Sequence, residues 1–132
     1  MQVIKRYLCW CILGLAILPV WSADPAPAYK NVAVEEFERL VKAGNAVALD
    51  VRTAKEYAGG YVSGATNIDF LARDFAKTIG ALDTNKTYLV YCASGRRSVG
   101  ACQEMSRRNF TKLYNLEGGF RSWEKAGKTV AK

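Results

Sequence analysis

Residues 91–98 read Tyr-Cys-Ala-Ser-Gly-Arg-Arg-Ser. Cys92 ends an apolar run; two small residues, a glycine and two adjacent arginines follow it. A thiol acts as nucleophile only as its thiolate. The 132-residue chain contains no histidine, so no imidazole can take that proton. Ser-His-Asp and Cys-His sites are excluded with it, as are zinc sites that need imidazole. The backbone is the remaining means. If Cys92 stands where a strand ends and a helix begins, residues 93–97 form a tight loop with N–H groups turned inward above a helix N-terminus. Such settings lower a thiol pKa from about 8.5 to as little as about 3.5–7.5. Gly95 suits an unusual backbone angle and a close ligand approach. Ala93 and Ser94 are small enough to leave a pocket, and Arg96 and Arg97 add positive charge. The same residues also fit a buried strand-end cysteine without chemistry.

The elements that must position this loop alternate along the chain. Residues 34–43 are predicted helical, with Phe37, Leu40 and Val41 on one face, Glu35 and Glu36 near the start and Gly44 at the end. Ala46 to Val51 is an apolar run broken at Asp50, as in a strand buried on both faces. A polar segment follows, then a short strand expected over 65–70 and a helix over 71–79 with Phe75 and Ile79 inward. Residues 86–91 form a second strong strand. A helix over 96–108 puts Val99, Cys102 and Met105 on one stripe, and Asn109 fits a left-handed cap. Residues 112–116 make a third strand, and Gly118-Gly119 opens a last helix holding Trp123. This alternation predicts an α/β fold, a parallel sheet with helices on both faces.

The chain carries 19 Lys+Arg against 12 Asp+Glu, a formal charge of +7. That excess favours anionic partners, but the basic residues are scattered and nucleic acid is not expected as one. At the N-terminus, Lys5 and Arg6 precede an apolar run from Leu8 to Val20. As a helix it spans about 20 Å, short of the roughly 30 Å hydrocarbon core. Residues 1–22 therefore read as a secretory signal cleaved after Ser22, with a retained N-terminal anchor as the alternative. Residues 23–30 read as an extended tether and 31–130 as a single domain. Cleavage removes Cys9 and Cys11 and leaves Cys92 and Cys102. A helix over 96–108 would carry Cys102 several turns past the loop, beyond the roughly 7 Å between Cα atoms that a disulfide tolerates. Cys102 is expected to be a small core residue. No metal cluster is suggested by the cysteine positions.

Three stretches carry a resemblance: LDVRTAKEYAGGYVSGATNI at 49–68, YCASGRRS at 91–98 and LEGGFRSW at 116–123. In this order and spacing the chain resembles the rhodanese family of sulfurtransferases over roughly residues 31–127, in particular its small exported single-domain members. The resemblance implies a rhodanese-like, five-stranded parallel sheet flanked by helices. It implies that Cys92 takes a sulfane sulfur from a donor such as thiosulfate, becomes a persulfide, and passes the sulfur to cyanide or a thiol. Residues 92–97 would form the cradle and Ser98 would open the helix behind it, so that Ala93, Ser94, Gly95, Arg96, Arg97 and Ser98 hold the substrate. Asp50 and Arg52 would brace the region as scaffold, with Arg52 and Glu56 as a local ion pair. No cofactor or metal is implied. The expected partners are a small anionic sulfur donor and a thiophilic acceptor, with no stable membrane span after processing and a monomeric chain. Export implies the periplasm in a Gram-negative host. Two departures stand out: Gly60-Tyr61-Val62-Ser63-Gly64-Ala65 where the family commonly has G-H-I-P-G-A, and Lys128-Thr129 where a proline often stands.

Three rival chemistries meet obstacles in the same residues. Cysteine phosphatases use C-x5-R, but the residue six after Cys92 is Ser98, and arginines stand at four and five. The shorter loop suits one sulfur atom better than a phosphoryl group, and no aspartate is assignable as leaving-group acid. A non-catalytic binding module of the same family would be expected to lack the cysteine. A dithiol redox protein would want a C-x-x-C pair, which is absent.

Overall fold

The centre of the molecule is a pair of parallel strands, β2 (Ala46–Asp50) and β5 (Thr87–Tyr91), in register from Ala46 opposite Thr87 to Asp50 opposite Tyr91. The structure, a computed structural model, describes residues 28–132. The segment read as a signal, residues 1–22, and residues 23–27 of the tether lie outside the described residues. Tyr29 and Lys30, read from sequence as the tether's end, already belong to strand β1 (Tyr29–Val32), which pairs in parallel with β6 (Leu113–Leu116). With β4 (Thr66–Asn67) at the other edge, the five parallel strands run in the order β1-β6-β5-β2-β4. The expected α/β architecture is thereby present.

Successive strand side chains point to opposite faces, so each buried strand feeds two cores. Leu49, Tyr88 and Val90 face one side with Phe75 and Ile79 of α3 (Phe75–Gly80) and Ala101, Cys102 and Met105 of α4 (Arg96–Ser106). Ala48, Leu89 and Tyr91 face the other, against Phe37 of α1 (Val34–Ala43) and Phe120 and Trp123 of α5 (Gly119–Lys125). Edge-on aromatic contacts of Phe37 with Tyr91 and with Trp123, both at 6.1 Å between centroids, tie the second core together. Helix α1 spans the residues expected and ends at Gly44 with φ 74°.

Other boundaries move for local reasons. Helix α3 starts at Phe75, because Asp69 accepts a hydrogen bond from the Leu71 N–H and residues 71–74 turn instead of coiling. Helix α4 ends at Ser106, and Asn109 takes the left-handed conformation expected of it, φ 69°. The polar segment after β2 holds a short helix, α2 (Ala54–Ala58). Its sequence Thr53-Ala-Lys-Glu56 is a capping box: Thr53 Oγ1 accepts from the Glu56 N–H while the Glu56 carboxylate accepts from the Thr53 N–H. A small antiparallel pair, β3 (Tyr61–Val62) with β7 (Val130–Ala131), closes the end of the chain against the Gly60 turn. Among the described residues no helix is long and apolar enough to cross a membrane.

Candidate functional site

Cys92 follows β5 directly and continues the face of Tyr88 and Val90, so its side chain points toward α4. The chain then turns through Ala93 and Ser94, passes Gly95 at φ 102°, and enters α4 at Arg96. The carbonyls of the turn face away from the sulfur, toward the first turn of α5. The Phe120 N–H donates to the Cys92 carbonyl at 2.7 Å, and the Arg121 N–H donates to the Ala93 carbonyl at 3.1 Å. A trans peptide is planar, with its N–H opposite its C=O. Turning the Ala93 carbonyl toward α5 therefore turns the Ser94 N–H back toward the sulfur. The next amide adds to it: the Gly95 N–H donates to Cys92 Sγ at 3.1 Å.

Ser98 completes the ring from one turn into α4. Its Oγ lies 3.4 Å from Cys92 Sγ and 3.1 Å from the Gly95 carbonyl; its single proton can go to either, and a thiolate, which has none of its own to give, receives it. Cys92 is only 1 % exposed, and that burial pushes its pKa up. The Ser98 hydroxyl and the backbone N–H groups of Ser98, Ser94 and Gly95 outweigh burial, and the thiol sits below its ordinary value. The loop thus favours the thiolate of a cysteine without histidine. The small side chains of Ala93 and Ser94 do not leave an open well above it, however; the sulfur lies deeper than their size suggested.

The paired glycines before α5 explain how two backbones come this close. A Cβ on Gly119 would stand 2.5 Å from the Cys92 carbonyl oxygen, and one on Gly118 would collide with Ser122. Both have positive φ, 73° at Gly118 and 63° at Gly119. Sequence reading assigned this pair only to opening a helix, and the second role had a signal in its plain absence of side chains.

The arginines divide differently from expectation. The predicted pair of Arg52 with Glu56 is not formed. Arg52 instead grips Asp50, two residues back at the end of β2, with contacts of 2.6 and 3.0 Å to Oδ2 and 3.0 Å to Oδ1. It also donates to the Gly60 carbonyl at 2.7 Å and lies over the Phe120 ring, 4.1 Å from the centroid. Both partners are buried, Asp50 at 0 % and Arg52 at 4 % exposure. Asp50 and Arg52 project to the α1/α5 side, over Tyr91 and Phe120, and among the described residues that carboxylate has no other ion-pair partner. The capping box turns the Glu56 carboxylate instead toward the start of α4. There it holds Arg97 with two contacts of 2.9 Å. The Arg97 guanidinium, with Thr53 assisting against a small cost of burial, lowers the Glu56 pKa to about 2. Arg97 is therefore half of an ion pair, while Arg96 is exposed. Cys102 also lies nearer than expected. It is one helical turn past Ser98, on the same stripe of α4, and shares a core with Cys92. Burial, then the neighbouring Cys92 charge, pushes its thiol up to about 12, and both cysteines are free. Among the described residues no His, Cys, Asp and Glu side chains gather as a metal site requires.

This arrangement matches known proteins. The family model described as "Rhodanese-like domain" matches residues 33–126. The chain is 36% identical over 103 residues to the Bacillus subtilis protein YqhL, covering 78% of this chain and 77% of that one. It is 32% identical over 95 residues to a thiosulfate sulfurtransferase, GlpE of Pseudomonas fluorescens, covering 72% and 84%. A rhodanese-related protein of Thermoplasma volcanium superposes with a TM-score of 0.67 at 26% identity, over 78% of this chain and 98% of that one.

Three substitutions test the site. Arg52→Ala leaves Asp50 buried without its partner, and urea unfolding should show a loss of about 3–5 kcal/mol. Ser98→Ala removes one donor to the sulfur, so the pH profile of Cys92 alkylation should keep its shape but move to higher pH; an unmoved profile would deny the hydroxyl its role. Gly119→Ala must push the loop away, and an assay of sulfur transfer should fall about a hundredfold while circular dichroism keeps its folded form.

Proposed function

Since the chain belongs to the rhodanese-like domain family, we propose that it is a thiosulfate sulfurtransferase that works through a persulfide on Cys92. The observation that carries this reading is the sulfur ringed by inward amides and the Ser98 hydroxyl, at 3.1 Å from the Gly95 N–H. The thiosulfate sulfurtransferase relatives support it. The Cys92 thiolate attacks the outer sulfur of thiosulfate. The new Cys92 S–S bond forms as the thiosulfate S–S bond breaks, and sulfite leaves with the electron pair. The persulfide anion then rests in the ring formed by Ala93, Ser94, Gly95 and Ser98. Cyanide or a thiolate attacks its terminal sulfur, takes that atom, and returns the Cys92 thiolate. Preorganised donors of this kind contribute roughly 3–4 kcal/mol each where single ones have been removed from enzymes.

The two arginines have unequal parts in this scheme. Arg96 is exposed at the helix start and draws the anionic donor in. Arg97, balanced by Glu56, holds α2 against the loop. Asp50 and Arg52 serve as scaffold on the far side of the sheet. Residues 1–22 serve as an export signal, so that the mature enzyme works in the periplasm of a Gram-negative host as a monomer.

Intact mass spectrometry of the full chain expressed in such a host tests both ideas. The mature protein should begin at Ala23 and gain the mass of one sulfur atom on mixing with thiosulfate, losing it again with cyanide. Cys92→Ala should keep its fold and neither load nor turn over; turnover in that variant would overturn the mechanism.

A further inference from the structure

Arg97 is the second cation of the Cys92 loop, and Glu56 occupies its fork. Arg97 Nη1 donates to Oε2 and Nη2 to Oε1, each at 2.9 Å, so this two-pronged face is closed to any other oxyanion. Glu56 is pinned from behind. Its Oε2 also accepts from the Thr53 N–H at 3.0 Å and from the Thr53 hydroxyl at 2.9 Å, within the capping box of α2. With its pKa lowered to about 2, chiefly by Arg97, Glu56 is ionised at every assay pH. Arg97 stands near enough to Asp69 and to the Cys92 sulfur to feel both charges. Two carboxylates thus answer the two guanidiniums of the loop, and Arg96 alone of those guanidiniums is exposed without an ion pair among the described residues. The approach to a sulfur that is itself negative is close to neutral, although the chain as a whole is strongly basic.

We propose that Glu56 sets how much negative charge a sulfur donor can carry: by cancelling Arg97 it favours singly charged donors of the thiosulfonate class over doubly charged thiosulfate. The inference rests on the persulfide reading above and concerns the donor of that same site. With a thiosulfonate, the Cys92 thiolate attacks the terminal sulfur. The Cys92 S–S bond forms as the donor's S–S bond breaks, and a sulfinate leaves with the electron pair. The same persulfide results from either donor.

The test measures kcat/KM for thiosulfate and for benzenethiosulfonate, with cyanide as the common acceptor, in the full wild-type protein and in Glu56→Gln and Glu56→Asp. Glutamine keeps the capping box and removes the charge. Coulomb energy is proportional to the charge on the donor. At low salt Glu56→Gln should therefore raise kcat/KM about threefold for benzenethiosulfonate and about ninefold for thiosulfate, a threefold change in their ratio that shrinks as salt is added. Glu56→Asp keeps the charge, so its ratio should stay at the wild-type value even if both constants fall. A ratio unmoved in Glu56→Gln, or moved equally in Glu56→Asp, would overturn the charge-selecting role. A wild-type chain that gains no sulfur from either donor would overturn the sulfurtransferase reading itself, and this inference with it.

Discussion

Two hydrogen bonds that never touch the sulfur govern what it can do. The N–H groups of Phe120 and Arg121 take the carbonyls of Cys92 and Ala93. Because each peptide unit is rigid, a carbonyl held on one side obliges the following N–H to face the other. The chemistry of the loop is thus fixed from behind, by the first turn of the last helix. That turn can come so close only because Gly118 and Gly119 have no side chains. Residues 28 positions apart in sequence, 92 with 120 and 93 with 121, thus join a strand end, a tight turn and a backbone clamp into one device.

Charge is organised around the same device, but in two separate layers. The Asp50–Arg52 pair is buried, and its guanidinium also holds the Gly60 carbonyl and covers an aromatic ring. Buried pairs of this kind add little net stability over apolar packing, yet breaking one is costly. Its place is geometric, joining the end of β2 to the turn that starts β3. The Glu56–Arg97 pair is part-exposed and joins α2 to the start of α4. The capping box aims Glu56 at that partner while also satisfying the Thr53 N–H. Among the described residues neither pair hydrogen-bonds the Cys92 sulfur, although Arg97 lies near enough to feel its charge, and between them they hold both flanks of the loop.

Much of this was legible in the residues. Continuous apolar runs marked β2 and β5, and helical spacing marked α1 and α4, because buried faces impose a period that survives any local preference. Cys92 and its loop were legible from the succession of strand, small residues and glycine. The shorter pieces were not. Strands β3, β4 and β7 have two residues each, too few to show a period, and β1 is an edge strand whose alternation is weak. Helix α2 has no buried residue, so it read as a polar segment, and only the Thr53-x-x-Glu56 spacing carried a signal for it. The partners of Arg52 and Glu56 could not be told from spacing, since both carboxylates lie within a few residues of that arginine. What separates them is the capping box, which turns the Glu56 carboxylate toward Arg97 at the start of α4.

The alternation of β5 has a bearing on how this sequence can drift. Cys92 shares a side with Tyr88 and Val90, while Tyr91 and Leu89 belong to the other. Adding or deleting one residue between Thr87 and Cys92 would deliver the thiol to the wrong layer, beneath Phe120, and send a tyrosine toward Ser98. Point substitutions in this strand cost packing, whereas a change of length inverts the blueprint. The 83–86 turn is different, because the chain there owes no parity to either side and an added residue leaves both cores in place.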